Sequence, residues 1–171
     1  MPFASATGVQ TFHAAHALLP DGWANDVAID VADGRIRAVR AGEPAQADAT
    51  LLSLVVPGLG NLHSHAFQRG MAGLTEIGGR SGDSFWSWRE LMYRFVGRLR
   101  PDDLLAIAAQ AYVEMLESGF TRVGEFHYLH HDIAGRVHAD PAEMSARIVE
   151  AAVQTGIGMT LLPVFYAHSD F

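Results

Sequence analysis

Between Asn25 and Gly42 the chain reads NDVAIDVADGRIRAVRAG, with apolar and polar residues alternating on either side of Asp33-Gly34. Successive side chains of a strand point to opposite faces, so this alternation predicts two half-buried strands. Asp-Gly between them suits a two-residue hairpin turn, whose central positions both need positive φ. The period changes after residue 50. Leu51 to Val56, LLSLVV, is apolar without clear alternation, as in a strand covered on both faces by the helices of a parallel sheet. From Asp83 to Arg100, DSFWSWRELMYRFVGRLR places Phe85, Trp88, Met92, Phe95 and Leu99 at steps of three and four. That spacing predicts a helix with Asp83 as its N-cap.

RPDDLLAIAAQAYVEMLESG, Arg100 to Gly119, predicts a second helix. Pro101 suits its first turn, Asp102 and Asp103 favour the positive end of its dipole, and Gly119 stops it. FTRVGEF, from Phe120, reads as a short strand, and DPAEMSARIVEAAVQTG as a helix with Asp140 and Glu143 in capping-box spacing and Gly156 closing it. IGMTLLPVFY, from Ile157, is a further strand. Strand, helix, strand, helix, strand at this spacing implies a parallel sheet. The fold class is therefore α/β, with a small β unit ahead of the βαβ part.

Composition narrows the chemistry. Over 171 residues, 49% hydrophobic and 18% charged is ordinary for a globular protein with a real core. Nineteen Asp and Glu against twelve Lys and Arg give a net charge of -7, with no basic cluster, which argues against a nucleic-acid partner. There is no cysteine, so any metal must be held by His, Asp or Glu. The N-terminal stretch lacks a basic segment followed by a long apolar one, and no apolar run reaches about 18 residues. The expectation is a soluble cytoplasmic protein with no membrane partner.

His63 and His65 follow an apolar run and a turn built from Pro57, Gly58 and Gly60. Residues i and i+2 of a strand share a face, so the two imidazoles project together while Ser64 points away. Both lie at the carboxyl end of a strand, where α/β folds keep their chemistry. Neutral imidazoles bind zinc, and a catalytic zinc needs three protein ligands and an open position. His63 and His65 supply two. Elsewhere a His-x-His pair makes loop hydrogen bonds, but the preceding buried strand and sharp turn favour a metal pair here.

Other polar residues stand out by position. Arg89 falls on the helix side of Phe85, Met92 and Val96, opposite Glu90, Arg94 and Arg98. An inward guanidinium wants a carboxylate, which it binds in a two-pronged fork; the alternative is a structural salt bridge. Gln68 lies at a strand–loop junction, as substrate contact or plain loop residue. Tyr128 shares a face with Phe126, while His127 shares one with Glu125, if alternation persists to the strand end. A tyrosine there is otherwise half-buried packing. HYLHHD brings His127, His130, His131 and Asp132 close along the chain, but consecutive histidines in a loop point apart, so no metal site is expected among them. His13, His16 and His138 read as solvated or loop residues, and Trp86 and Trp88 as packing.

These blocks resemble a known family. VVPGLGNLHSH resembles the first barrel strand of the amidohydrolase superfamily, where a Pro-Gly turn leads into a His-x-His metal pair. HSHAFQRGMAGLTE, DSFWSWRELMYRFVGRL, EFHYLHHD and GIGMTLLPVFYAHS are similar to the N-formimino-L-glutamate deiminases (formimidoylglutamate deiminases) of histidine degradation. The resemblance runs from Val55 to Ser169. It implies residues 1–54 as part of a small β-sandwich domain, which the DGRI hairpin fits, and 55–171 as the first strands and helices of a (β/α)8 barrel. It implies metal-dependent hydrolytic deimination of N-formimino-L-glutamate to N-formyl-L-glutamate and ammonia. One zinc would sit on His63, His65 and two later ligands, although His and carboxylate ligands suit iron as well. Gln68, Arg89 and Tyr128 would bind substrate, and Arg89 matches a small molecule carrying two carboxylates.

Eight βα units need about 200 residues or more, so the chain is expected to be an N-terminal fragment, inactive by itself. The general acid and base would come from later strands, beyond Phe171. Asp170 stands where the family's glycine is expected. For the full-length form a homodimer is the assembly considered. Two rival readings are another aminohydrolase of the superfamily, guanine or cytosine deaminase-like, and an inactive truncated product.

Overall fold

In the computed structural model, which describes residues 8–74 and 85–166, Asp33 and Gly34 take φ values of 52° and 68°. Two successive positive φ angles close a tight hairpin whose twist matches that of its strands. The strands it joins are β2 (Gly22–Ala32) and β3 (Arg35–Ala41). β1 (Gln10–Leu19) pairs antiparallel with β2, and β4 (Thr50–Val55) pairs parallel with β1, giving the sheet order β3-β2-β1-β4. Ala14, Ala17, Val27 and Ile29 form its small core, with Phe12, Leu19 and Val55 against them.

Two expectations fail in this unit. LLSLVV is not the barrel strand: it ends as β4, an edge strand beside β1, with Leu51 and Leu54 exposed. An apolar run without alternation does not say which sheet it joins. Pro57, which has no N–H to donate, follows it, and the chain resumes as a new strand at Leu59. His13 is buried, at 8% exposure, rather than solvated, and its Nε2 lies 2.9 Å from the Glu43 carbonyl oxygen. It sits in an inner strand flanked on both sides, where backbone atoms of the 42–43 turn cover it.

The chain divides into two compact units between Pro57 and Gly58. The second contains β5 (Leu59–Ser64), a 3-10 turn (Ala66–Met71), α1 (Phe85–Val96), α2 (Pro101–Glu117), β6 (Phe120–His127), α3 (Glu143–Thr155) and β7 (Gly158–Pro163). Its three strands are parallel in the order β5-β6-β7. α2 starts as its sequence predicts: Pro101 needs no N–H partner, and the Asp103 carboxylate accepts the Arg100 N–H at 3.1 Å. α3 does not use its capping box. Asp140 instead accepts the Ala142 N–H at 2.8 Å in a local turn, the helix begins at Glu143, and Glu143 pairs with Arg147. Asp83, the expected cap of α1, lies outside the described residues.

Helices and sheet meet in one core. Leu104, Ala108, Ala111 and Tyr112 of α2, Met144, Ile148 and Ala151 of α3, and Phe67 and Met71 of the 3-10 turn close over Val123 of β6. Alternation along β6 leaves Val123, Glu125 and His127 buried, while Gly124 and Phe126 take the other face. Gly124 is glycine for a steric reason, because a Cβ there would stand 3.0 Å from the Leu62 carbonyl oxygen of β5. Gly124→Val is therefore expected to lose about 1–3 kcal/mol of stability in a urea melt. An unchanged midpoint would mean that β5 yields freely at Leu62. Among the described residues no helix is long and apolar enough to cross a membrane.

Candidate metal centre

β5 delivers the two histidines to one point. Its pairing with β6 shifts register between Asn61 and Ser64, and His65 then caps the 3-10 turn. Ser64 is buried, whereas the rings of His63 and His65 converge with their Nε2 atoms 3.0 Å apart. The Nδ1 of His65 lies 2.9 Å from the Phe126 carbonyl oxygen. A carbonyl oxygen only accepts, so Nδ1 carries the proton and Nε2 keeps its lone pair. This is the arrangement in which a histidine binds a metal through one nitrogen while a partner orients the ring through the other. Two nitrogens on a tetrahedral zinc, each at roughly 2.0–2.1 Å, stand about 3.3 Å apart. The pair therefore fits a zinc ion to within a few tenths of an ångström. Among the described residues no group of three His, Asp or Glu side chains surrounds a common point.

A cavity of about 820 Å³ opens on the pair. Gln68, Arg89, Phe126 and Tyr128 line it together with His63 and His65, so all five candidate residues read from the sequence share one cavity. Phe126 packs against both imidazoles at centroid distances of 5.5 and 5.3 Å. The Tyr128 ring stands edge-on to His65 at 5.1 Å, and the Gln68 amide donates to its hydroxyl oxygen at 3.3 Å. Alternation thus carries through to Tyr128. Burial pushes its phenol above the usual tyrosine range, so it stays neutral and can donate.

α1 supplies the facing wall. The Arg89 guanidinium lies 5.4 Å from the Trp86 ring centroid and 5.6 Å from that of Tyr93, and its Nε donates to the Tyr93 hydroxyl at 3.3 Å. Arg89 borders the cavity rather than the packed core, for of the residues on its side Met92 is buried but Phe85 is exposed. Trp86 is also exposed, against the packing role expected of it, while Trp88 lines the cavity and packs against the core. A helix of 12 residues, little more than three turns, cannot bury every apolar residue when aromatic side chains lie on more than one face. His130 and His131 reach the cavity too, but the His130 Nε2 is already engaged by the Val164 carbonyl at 2.7 Å.

Residues 54–169 match the amidohydrolase family. The chain belongs to that family. Residues 9–51 match the N-terminal domain of the formimidoylglutamate deiminase HutF. A formimidoylglutamate deiminase from Pseudomonas aeruginosa is 55% identical over 159 residues, 92% of this chain and 35% of that protein. The crystal structure of an amidohydrolase from Brucella melitensis superposes with a TM-score of 0.90 at 57% identity, over 95% of this chain and 36% of that one. Atrazine chlorohydrolase from Arthrobacter aurescens TC1, complexed with zinc, shares the fold at 19% identity and a TM-score of 0.66, over 90% and 35% of the two chains. This amidohydrolase chain thus spans about a third of the length of those relatives. Its three parallel strands are the N-terminal part of the amidohydrolase fold, preceded by a sandwich-like β unit.

Glu125 and His127 share one face in the sequence pattern, but that both are buried was not anticipated from it. Glu125 is 1% exposed, and its Oε1 accepts the Ala66 N–H at 2.7 Å. Burial pushes its carboxyl upward, against the lowering effect of that N–H. The available signal is a lone acid in an apolar strand, at a position that alternation turns toward the helices. His127 is 3% exposed, and burial, aided by His130 beside it, pushes its imidazole down to about 4.

An unfolded histidine titrates near 6.5, so between about pH 6.5 and 4 the unfolded chain binds the extra proton and stability falls as pH falls. Over that window His127 removes about 3 kcal/mol. The raised Glu125 acts in the opposite direction. The comparison to make is therefore between parent and His127→Gln, whose acid loss of stability in urea melts at pH 4.5 and 7 is expected to be the smaller. Equal losses would remove His127 as the cause.

Proposed function

We propose that this chain forms the substrate-binding and half of the metal-binding part of a zinc-dependent cytoplasmic enzyme that hydrolyses N-formimino-L-glutamate to N-formyl-L-glutamate and ammonia. The observation that carries the reading is the single cavity in which a His-x-His pair faces an arginine, a glutamine and a neutral tyrosine. The similarity to a Pseudomonas aeruginosa formimidoylglutamate deiminase supports the choice of substrate. A small molecule with two carboxylates and a polar amidine group needs such partners, whereas a flat nucleobase has no carboxylate for a guanidinium to bind.

His63 and His65 would hold the zinc, with the Phe126 carbonyl keeping the His65 Nε2 free to ligate. When bound, zinc lowers the pKa of water toward about 7 and supplies the nucleophile at neutral pH. Arg89 would take a substrate carboxylate in a two-pronged fork, its guanidinium set near both the Trp86 and Tyr93 rings. Tyr128 and Gln68, already hydrogen-bonded to each other, would orient the rest of the glutamate part. Water adds at the formimino carbon, the bond to the terminal nitrogen breaks, and ammonia leaves. The protons are moved by groups from later in the full-length enzyme.

Steady-state kinetics on an enzyme of the relatives' length that carries this chain tests the reading. N-formimino-L-glutamate is expected to exceed guanine and cytosine in kcat/KM by about 10³-fold or more, since a polar site rejects ligands that leave its groups unpaired. Preference for either nucleobase would overturn the proposal.

A further inference from the structure

Glu125 makes no contact with the cavity described above, and nothing in the proposed reaction uses it. It is nevertheless a buried carboxyl, one of the least exposed side chains of the fold, in a core built mainly of apolar side chains. Burying such a group costs free energy that an apolar side chain of the same size would not. Its Oε2 and the nearby Tyr112 hydroxyl are both buried and face each other without a well-formed hydrogen bond, so the pair adds little to stability.

One bond is well made. Oε1 accepts the N–H of Ala66, the residue directly after His65 and the first of the 3-10 turn. The next residue of β6, Phe126, takes the ring of His65 through its carbonyl oxygen. Adjacent residues of one strand therefore grip His65 from two sides, Glu125 through the backbone that follows it and Phe126 through its ring. Ser64, between the two histidines, lies beside the same carboxyl group.

We propose that Glu125 is a positioning residue for the metal pair, holding the backbone from Ser64 to Ala66 so that the His63 and His65 nitrogens converge on one cation. The inference rests on the reading of His63 and His65 as metal ligands. It assigns to Glu125 a task of reach rather than of charge, namely to place an acceptor oxygen at the Ala66 N–H from the neighbouring strand.

Reach and charge separate in two variants of the full-length enzyme. Glu125→Gln keeps the length and the acceptor oxygen but cannot ionise. Glu125→Asp remains a carboxyl group and draws the oxygen back by one methylene. Zinc affinity is measured by competition with a chelator, the melting temperature of the metal-free protein is recorded on the same samples, and His65→Ala serves as control. The Gln variant is expected to stay within about threefold of the parent, and the Asp variant to bind zinc about 10- to 100-fold more weakly, the usual effect of losing a partner that orients a ligand. Normal affinity in the Asp variant, whatever its melting temperature, would reduce Glu125 to a structural residue and overturn the proposal. So would weakened binding in the Gln variant alone, which would point to charge. If His65→Ala itself kept zinc, the ligand reading would fall instead, which keeps the two failures distinct.

Discussion

His65→Ala in the full-length enzyme is expected to lose its bound metal and about 10³-fold or more of kcat/KM, because the cation supplies several kcal/mol that no other group here replaces. The size of the effect follows from the geometry. Among the described residues only His63 and His65 converge, at 3.0 Å between Nε2 atoms, so removal of one imidazole leaves a single ligand among them. His63→Ala should match it. His131→Ala, in the same cavity, should keep its metal, because His131 is not part of the converging pair. Metal content by atomic absorption and kcat/KM on the same preparations check all three. Full metal content in His65→Ala would show that the ion sits elsewhere.

Arg89→Met is expected to reduce kcat/KM by about 2–5 kcal/mol, by analogy with truncating one partner of a paired charge, with metal content unchanged. Arg89→Lys should recover only part of this, since an ammonium is a point charge and cannot reproduce a planar fork. The structure makes the prediction sharper than the sequence did. Arg89 lies at the cavity wall near two aromatic rings, so its removal should disturb the core little. A purely structural arginine would behave in the opposite way: Arg89→Met would melt lower while its folded fraction kept normal kcat/KM. Specific activity and melting temperature from one preparation therefore decide between the two roles.

What was legible in the sequence was chiefly what is local. Asp33-Gly34 specifies its turn within two residues, and Pro101 with Asp103 specifies the start of α2 within four, so neither depends on the rest of the fold. The projection of His63 and His65 to one side was legible because Ser64 between them must turn away. LLSLVV was misread because an apolar run records burial or adhesion to some sheet but not which one. Asp140 and Glu143 had cap spacing, yet a nearer N–H captured the Asp140 carboxylate. Glu125, His13 and the Trp86–Arg89–Tyr93 stack depend on residues brought together by tertiary structure or on competition among aromatic side chains for burial. No spacing rule along the chain reports such contacts.

The central claim, that His63 and His65 are two ligands of one catalytic metal, is tested most directly by anomalous scattering at the zinc edge from crystals of the full-length, zinc-loaded enzyme. The account predicts one strong peak with both Nε2 atoms at roughly 2.0–2.1 Å, and the His65 Nδ1 still held by the Phe126 carbonyl. A peak seated on His130 or His131, or a zinc ion bound away from His63 and His65, would contradict it.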